Sequence, residues 1–264
     1  MAITKQVVYI GDFYDKAQEL KQYWGKTTLY TTGHKALDTY FGGGFGREKG
    51  YEIVLLYGDT GIGKSTVALN FLAPAIKAGV NVGLLILEDD MADVSNRLAS
   101  VLSPQEYAEM NKRNNVRCLP EDALTRSWKL TDLLEYIEAW YKDGVDLILL
   151  DHIQFAFENA ESIKGENEYI SQRIFMRSLN QLMKRMNKTI ILISHINKGG
   201  LAKGMNKIVG SSSIAQASTK VIEVSEEKDW TDALRFYLRK SRFTKRPDFH
   251  YNMKLINGRV EPAA

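Results

Sequence analysis

The sequence predicts an α/β fold with a mainly parallel central sheet flanked by helices, and three observations lead to that prediction. Buried-strand patterns alternate with helical patterns along most of the chain, which is typical of parallel strands joined by crossover helices. A glycine-rich turn, GDTGIGKS from Gly58, separates the first of these strands from the first of these helices. Towards the C-terminus the apolar runs shorten, which predicts an antiparallel extension at one sheet edge.

The elements follow in chain order. Phe13–Trp24 is predicted as a separate N-terminal helix, so residues 1–28 form a helical and linker segment before a domain at 29–264. The core strands are predicted at Ile53–Tyr57, Asn81–Leu87, Asp146–Leu150 and Thr189–Ser194. The first helix is predicted from the glycine-rich turn to about Lys77, with a kink at Pro74 and an end at Gly79. Further helices are predicted at Ala92–Leu102, Pro104–Asn111, Leu130–Tyr141 and Ile170–Met186. The extension is predicted at Lys220–Val224, Leu234–Leu238 and Tyr251–Leu255, with a tight turn at Asn257-Gly258 and loops at Glu158–Glu168 and Lys198–Ser213.

Composition narrows the class of protein. Hydrophobic residues make up 44% and charged residues 25% of the 264, as in ordinary soluble domains. A single cysteine, Cys118, excludes a disulfide framework and a cysteine-based zinc site. The chain starts without an apolar signal core and has no apolar run of membrane-spanning length, so we expect a cytoplasmic protein without a membrane partner.

The net charge does not indicate a nucleic-acid partner, because 35 basic residues are balanced by 32 acidic ones. The distribution is more informative. The stretch Leu234–Arg246 holds no acid and six bases, namely Arg235, Arg239, Lys240, Arg242, Lys245 and Arg246.

The glycine-rich turn fits the phosphate-loop pattern G-x-x-x-x-G-K-[ST] in full, and it lies between a strand and a helix as that motif requires. Its glycines let backbone N–H groups surround a phosphate, and the helix start adds a positive dipole. Lys64 is expected to reach the β- and γ-phosphates, and the Ser65 hydroxyl to join a Mg²⁺ shell. The predicted nucleotide-binding residues are Gly58, Asp59, Thr60, Gly61, Ile62, Gly63, Lys64, Ser65 and Thr66.

Two further strands end in carboxylates, at the sheet edge where ligands bind in parallel α/β folds. The second strand runs into Glu88, Asp89 and Asp90, of which Glu88 is the candidate general base for an attacking water. The alternative is that these acids cap the next helix, which suits Asp89 or Asp90. The third strand ends in Asp151, the aspartate of a Walker B motif, which would hold Mg²⁺.

Basic and imidazole groups complete the set of candidates. His195 ends the fourth strand, where it is either structural or a sensor of the γ-phosphate. Lys240 and Arg242 alternate along a predicted strand and so share one face. They are either solvated edge residues or an arginine finger and its basic neighbour, which reach the nucleotide of another subunit.

These motifs together resemble a known family. The likeness rests on VGLLILEDD from Val82, LILLDHIQF from Leu147, ILISHINK from Ile191, YLRKSRFT from Tyr237 and GSSSIAQASTKVIEV from Gly210. The chain resembles the RecA-like helicase domain of hexameric replicative helicases, which include the DnaB family, phage primase–helicases and Twinkle, with the phage type most similar. The earlier TTGHKALDTYFGGGF is shared more broadly with RecA-like and KaiC-like proteins.

The resemblance implies a RecA-like P-loop NTPase that uses ATP or another NTP with Mg²⁺, forms a six-membered ring and moves along single-stranded DNA. It implies that Glu88 is the catalytic carboxylate, that His195 senses phosphate, and that Lys240 and Arg242 act on a neighbouring subunit. The DNA contacts would lie in the loop after His195, at Lys198, Lys203 and Lys207. Gln154 follows Walker B where the family often has a polar residue near DNA or nucleotide.

The resemblance spans Leu29 to about Pro262 and includes no primase or N-terminal collar. Ring assembly is therefore expected to depend on this domain and on Phe13–Trp24, with a separate primase or other replication proteins as partners. The protein would lie in the host cytoplasm if it is phage-encoded. Two alternatives stay open: a RecA-like or KaiC-like DNA-dependent ATPase without translocation, and a replication accessory protein or loader that ATP switches.

Overall fold

A computed structural model describes residues 29–47, 50–119, 129–158, 168–195, 212–227, 230–231, 233–245 and 247–263. The predicted Phe13–Trp24 helix, most of the two predicted loops and the three candidate DNA-binding lysines lie outside these residues. The described strands are β1 (Glu52–Gly58), β2 (Val82–Ile86), β3 (Val116–Cys118), β4 (Leu147–Asp151), β5 (Thr189–His195), β6 (Lys220–Glu226), β7 (Ala233–Ser241), β8 (Tyr251–Ile256) and β9 (Arg259–Pro262).

The described strands form one sheet in the order β3-β2-β4-β5-β1-β6-β7-β8-β9. The first six in that order run parallel, and the last three add the predicted antiparallel extension. The prediction is wrong for Lys220–Val224, which belongs to β6 and pairs parallel with β1. In the register of the central strands, Gly58 pairs with His195 on one side and with Val224 on the other. The glycine-rich turn and the end of β5 therefore emerge side by side at the carboxyl edge of the sheet.

Helices cover both faces of the sheet, so each face buries its own hydrophobic core. One core involves α1 (Lys35–Phe41), α2 (Lys64–Lys77), α3 (Met91–Val101) and α4 (Pro104–Arg113). The other involves α5 (Leu130–Lys142), α6 (Ile153–Glu158), α7 (Glu168–Met186) and α8 (Ser212–Ala217). Strands β1, β2 and β4 are buried along their whole length, which explains their near-continuous apolar sequences.

Local signals set several boundaries where the sequence predicts them. Ser103 caps α4 and forms a capping box with Glu106, and Pro104 occupies the first turn. Asn257 and Gly258 take φ values of 50° and 79°, the left-handed conformations that a tight hairpin between β8 and β9 requires. Helix α2 continues through Pro74 to Lys77, and Gly79 follows it at φ 81°.

Besides α8, four described elements are missing from the elements predicted from sequence patterns. Helices α1 and α6 have 7 and 6 residues, and strands β3 and β9 have 3 and 4. Such segments are too short for helical or alternating periodicity to stand out. The predicted loop Lys198–Ser213 is wrong at its end, because α8 begins at Ser212.

Candidate nucleotide and catalytic site

The glycine-rich turn has the backbone of a phosphate-binding loop. Gly61 and Gly63 take φ values of 86° and 85°, which strain other residues, and α2 begins directly after Gly63. A Cβ at Gly58 would lie 2.2 Å from the Val224 carbonyl oxygen, so the loop leaves β1 in close contact with β6. Lys64 is buried, and its Nζ donates a hydrogen bond of 2.7 Å to the Asp59 carbonyl oxygen inside the loop.

A cleft of about 490 Å³ opens beside this loop. Its size is that of a small-molecule site. Trp230, 44% exposed, contributes an aromatic ring to the cleft wall. The residues lining the cleft are Gly61, Ile62, Gly63, Glu226, Glu227, Trp230, Thr231, Ala233, Leu234 and Leu255.

Asp151 ends β4 beside the loop, where a Mg²⁺ ligand is expected. It is 3% exposed; burial raises the pKa of its carboxyl, and a hydrogen bond from the Ser65 side chain opposes that rise. Among the described residues, its Oδ2 is buried without a hydrogen-bond partner. An unpaired carboxylate oxygen beside a serine hydroxyl is a donor set that fits Mg²⁺.

The structure gives the three acids after β2 different environments. Asp90 is the N-cap of α3 and accepts a 2.8 Å hydrogen bond from the Asp93 N–H. Asp89 accepts two hydrogen bonds from the Arg97 guanidinium, one of them 2.9 Å long. Glu88 instead is exposed and contacts the imidazole of His152, with 3.0 Å between Oε2 and Nε2. Of the three, Glu88 is the carboxylate that contacts His152, whereas Asp89 lies near Asp151 but is paired with Arg97.

His195 lies against the phosphate loop. Its Nδ1 is 3.1 Å from the Lys64 Nζ and 3.4 Å from the Thr60 Oγ1. Because an ammonium only donates, Nδ1 is the acceptor and the ring proton lies on Nε2. Burial, the Lys64 charge and His152 lower the pKa of His195 to about 4, so the ring is neutral near pH 7.

His152 also lies in the site, although no sequence motif marks it as a candidate site residue. Its ring packs edge-on against His195, with 4.3 Å between ring centroids. Nitrogen or oxygen atoms of Glu88, His152 and His195 all lie within 4.8 Å of one another, a spacing that a metal ion could occupy. The Phe155 N–H, however, donates to Nδ1 of His152 at 3.3 Å. The proton of that ring therefore lies on Nε2, which donates to Glu88 and does not offer a lone pair to a metal.

Gln154, in α6, forms hydrogen bonds with the end of β5. Its side chain is buried, its Nε2 donates to the Ser194 Oγ at 2.5 Å, and its Oε1 accepts from the His195 N–H at 3.4 Å. This amide holds the backbone that carries His195 to the start of α6.

Lys240 and Arg242 lie beside the amino-terminal end of β6, whereas the phosphate loop lies at the carboxyl ends of the parallel strands. Lys240 pairs with Val221, and the Arg242 N–H donates to the Thr219 carbonyl, whereas Gly58 pairs with Val224. At about 3.3 Å per residue, the step from Val224 to Thr219 separates Arg242 from the loop by roughly 16 Å along β6. The two basic residues do not reach the phosphate loop of their own chain.

Both basic side chains contact the C-terminal end of α8. The Lys240 Nζ donates to the Ala215 and Gln216 carbonyls at 2.7 and 2.8 Å, and the Arg242 guanidinium donates to the Gln216 carbonyl at 2.6 Å. Burial and the Arg242 charge lower the pKa of Lys240 to about 8. A cation at a helix C-terminus is favourable, so these contacts hold the pair in place.

Comparison with protein-family models adds the decisive observation. The model described as "AAA domain" matches residues 48–200, more than half of the chain. The chain belongs to this AAA-domain family. It is a family of P-loop ATPases, and the match includes the phosphate loop, Glu88 and Asp151. A search of curated protein sequences finds no match.

Solved structures agree on the fold of this AAA-domain protein. One solved ATPase domain superposes with a TM-score of 0.70 at 13% identity, over 96% of this chain and 98% of that one. A DnaB-like replicative helicase, solved to study its interactions with primase, gives 0.71 at 13% identity, over 98% of this chain and 68% of that one. A KaiC-like protein, PH0186 from Pyrococcus horikoshii OT3, gives 0.69 at 20% identity, over 90% and 100%. The predicted RecA-like fold is confirmed.

The described residues include no helix with the length and apolarity that a membrane crossing requires.

Proposed function

We propose that this protein is an ATP-driven DNA helicase motor of the replicative type, which hydrolyses NTP between subunits of a ring and translocates on single-stranded DNA. One observation carries the proposal. The candidate residues for nucleotide binding and hydrolysis lie together at the carboxyl ends of the parallel strands, while the candidate arginine finger lies near the amino-terminal end of β6. A finger in that place acts on a second copy of the chain, so the active unit is an oligomer, and a hexameric ring is the form we propose.

Each residue has a distinct part in the hydrolysis. The loop from Gly58 to Thr66 and the Lys64 ammonium bind the phosphates. Ser65 and Asp151 would hold Mg²⁺, which would supply positive charge beside the phosphate oxygens. Glu88 orients a water and accepts its proton as the water oxygen bonds to the γ-phosphorus and the bond to the ADP oxygen breaks. The Nε2–H of His195 donates to the γ-phosphate, and Arg242 with Lys240 of the adjacent subunit stabilises the developing charge.

The cleft beside the loop suits the nucleoside. Trp230 offers a ring face on which a base stacks, and the loop glycines leave its entrance open. This placement puts the phosphates on the loop and the base towards β6 and β8.

Coupling to DNA follows from the strand order. Strand β5 leads from His195 directly into the segment with Lys198, Lys203 and Lys207, our proposed DNA contacts. Helix α8 follows that segment and accepts hydrogen bonds from Lys240 and Arg242. The same segment thus connects the γ-phosphate sensor of one site with the finger for the next.

The test is nucleotide hydrolysis with and without single-stranded DNA, on protein whose mass in solution has been measured. Stimulation by DNA together with a ring-sized mass supports the motor. Turnover that DNA leaves unchanged in a monomer contradicts it and favours an ATP-switched accessory protein.

A RecA-like or KaiC-like ATPase without translocation is the second candidate, because solved structures of a KaiC-like protein and of the RadB recombinase superpose with TM-scores of 0.69 and 0.66. A directional unwinding assay beside a strand-exchange assay separates the two functions. The paired basic residues Lys240 and Arg242, together with the segment after His195, match the helicase motifs and favour the helicase. Primase or other replication proteins as partners, and a cytoplasmic location, form part of the same proposal.

A further inference from the structure

His152 lies in the site, but the proposed hydrolysis mechanism gives it no role. It is 7% exposed and lies between the two groups that face the γ-phosphate, Glu88 and His195. It follows Asp151 directly, and β2 and β4 pair in a register that brings Ile86 opposite Asp151, so the chain after each strand emerges at the same place. The contact between Glu88 and His152 is therefore a consequence of the sheet.

The hydrogen bonds around the ring fix its tautomer. The Phe155 N–H, in the first turn of α6, donates to Nδ1 at 3.3 Å and occupies the lone pair there. The ring proton then lies on Nε2, 3.0 Å from the Glu88 Oε2, and donates to that carboxylate. The edge-on contact with His195 restricts rotation of the ring away from this arrangement.

The Glu88 side chain needs such a partner because it is exposed. Its side chain is 57% accessible, and an exposed glutamate samples many rotamers in the absence of a fixed contact. A general base works from within hydrogen-bond reach of its water, so a loss of orientation lowers the rate of the chemical step. Asp89 already has a fixed partner in Arg97, a residue of α3, and this pair lies near enough to Asp151 to influence the pKa of its carboxyl.

We propose that His152 is a positioning residue, which holds the Glu88 carboxylate towards His195 and the γ-phosphate through its Nε2–H. This inference rests on the proposed function and assigns a partner to the proposed base. His152 itself does not touch nucleotide or water in this role.

The side chains of glutamine and asparagine give a matched test. In His152→Gln, the amide NH₂ lies about where Nε2 lies in histidine, so the donor to Glu88 is kept. In His152→Asn, the NH₂ lies nearer to the position of Nδ1 and does not reach the carboxylate. We expect kcat to fall roughly 10- to 100-fold in His152→Asn, the effect of one hydrogen bond to a charged group, and to be largely restored in His152→Gln. The KM for ATP should change little in both, because the phosphate loop provides most of the binding.

A second measurement separates positioning from a structural role. In a Glu88→Gln background the base is already absent, so adding His152→Asn should lower the residual rate no further. His250→Gln serves as the control, since His250 is 38% exposed and contacts Tyr237 and, at 4.0 Å, Glu227, but not Glu88. Equal losses with asparagine and glutamine, a rise in KM that accounts for the loss, or additive effects with Glu88→Gln would overturn the inference. A parent protein that does not hydrolyse NTP would overturn the proposed function, and the inference with it.

Discussion

The choice of Glu88 over Asp89 as the general base gives a sharp test, because the two acids are adjacent in sequence and differ in their surroundings. Glu88→Gln keeps the shape of the side chain and removes the ability to accept a proton. A positioned general base contributes about 10²- to 10⁴-fold, or roughly 3–5 kcal/mol of activation free energy. We expect turnover to fall by that factor while nucleotide affinity stays close to that of the parent.

Asp89→Asn is the matched control, since it removes the same charge one residue away. Its Arg97 partner is 33% exposed and Asp89 itself 18%, so the pair is a partly solvated one whose loss costs about 1 kcal/mol of folding free energy. For a domain of this size that corresponds to a fall in Tm of about 2–4 °C, with turnover within a few-fold of the parent.

Steady-state phosphate release, nucleotide binding by fluorescence and thermal unfolding measure the three quantities on the same samples. The reasoning is refuted if Asp89→Asn abolishes turnover while Glu88→Gln spares it. It is also refuted if Glu88→Gln loses nucleotide affinity in proportion to its loss of rate.

The remaining predictions concern the phosphate loop, DNA and pH. Lys64→Ala should abolish turnover and weaken triphosphate binding, because a buried positive charge opposite the phosphates is lost; hydrolysis at the parent rate would show that the loop assignment is wrong. Changing Lys203 and Lys207 to alanine should weaken single-stranded DNA binding and flatten its log–log salt dependence by roughly 0.7 per lost contact, with basal hydrolysis kept; an unchanged slope would leave these lysines without a DNA role. The pKa of His195 is about 4 in the folded protein and higher in the unfolded chain, so nucleotide-free protein should lose stability as pH falls from about 6.5 to 4. In thermal unfolding, His195→Asn should lose less stability than the parent over that pH range. A pH profile identical to that of the parent would show that His195 does not cause the loss.

The sequence predicts those parts of the fold that depend on local signals. Strands β1, β2 and β4 are recognisable because parallel strands buried on both faces consist almost entirely of apolar residues. The capping box at Ser103 and the Asn257-Gly258 turn are recognisable because each depends on residues within a few positions.

The site is predictable only in part, because its contacts join distant segments. The phosphate loop is a contiguous motif, whereas the contact of Glu88 with His152 requires the register between β2 and β4. The engagement of Asp89 by Arg97 joins residues eight positions apart, and periodicity does not reveal it. These contacts come from the tertiary structure, so the sequence leaves Glu88 as one of three candidate acids.

The position of Arg242 likewise depends on packing. Strand β7 carries an irregularity opposite Val221 and Ile222, just before it brings Lys240 and Arg242 to the end of α8. A bulge of this kind turns the strand and redirects the side chains that follow it. The sequence places the two basic residues on one face, and the structure adds that this face lies far from the phosphate loop of the same chain.

Subunit mixing tests the central claim, that one subunit completes the active site of the next. Lys64→Ala inactivates the phosphate loop and keeps the finger, whereas Arg242→Ala keeps the loop and removes the finger, with a loss of about 10³- to 10⁵-fold in kcat. Each variant alone should be inactive. Mixtures shown to co-assemble should recover activity, because some interfaces pair an intact loop with an intact finger, and the recovery should rise with protein concentration. Co-assembled mixtures whose activity never exceeds the sum of the separate variants would contradict a shared site and confine Arg242 to its own chain.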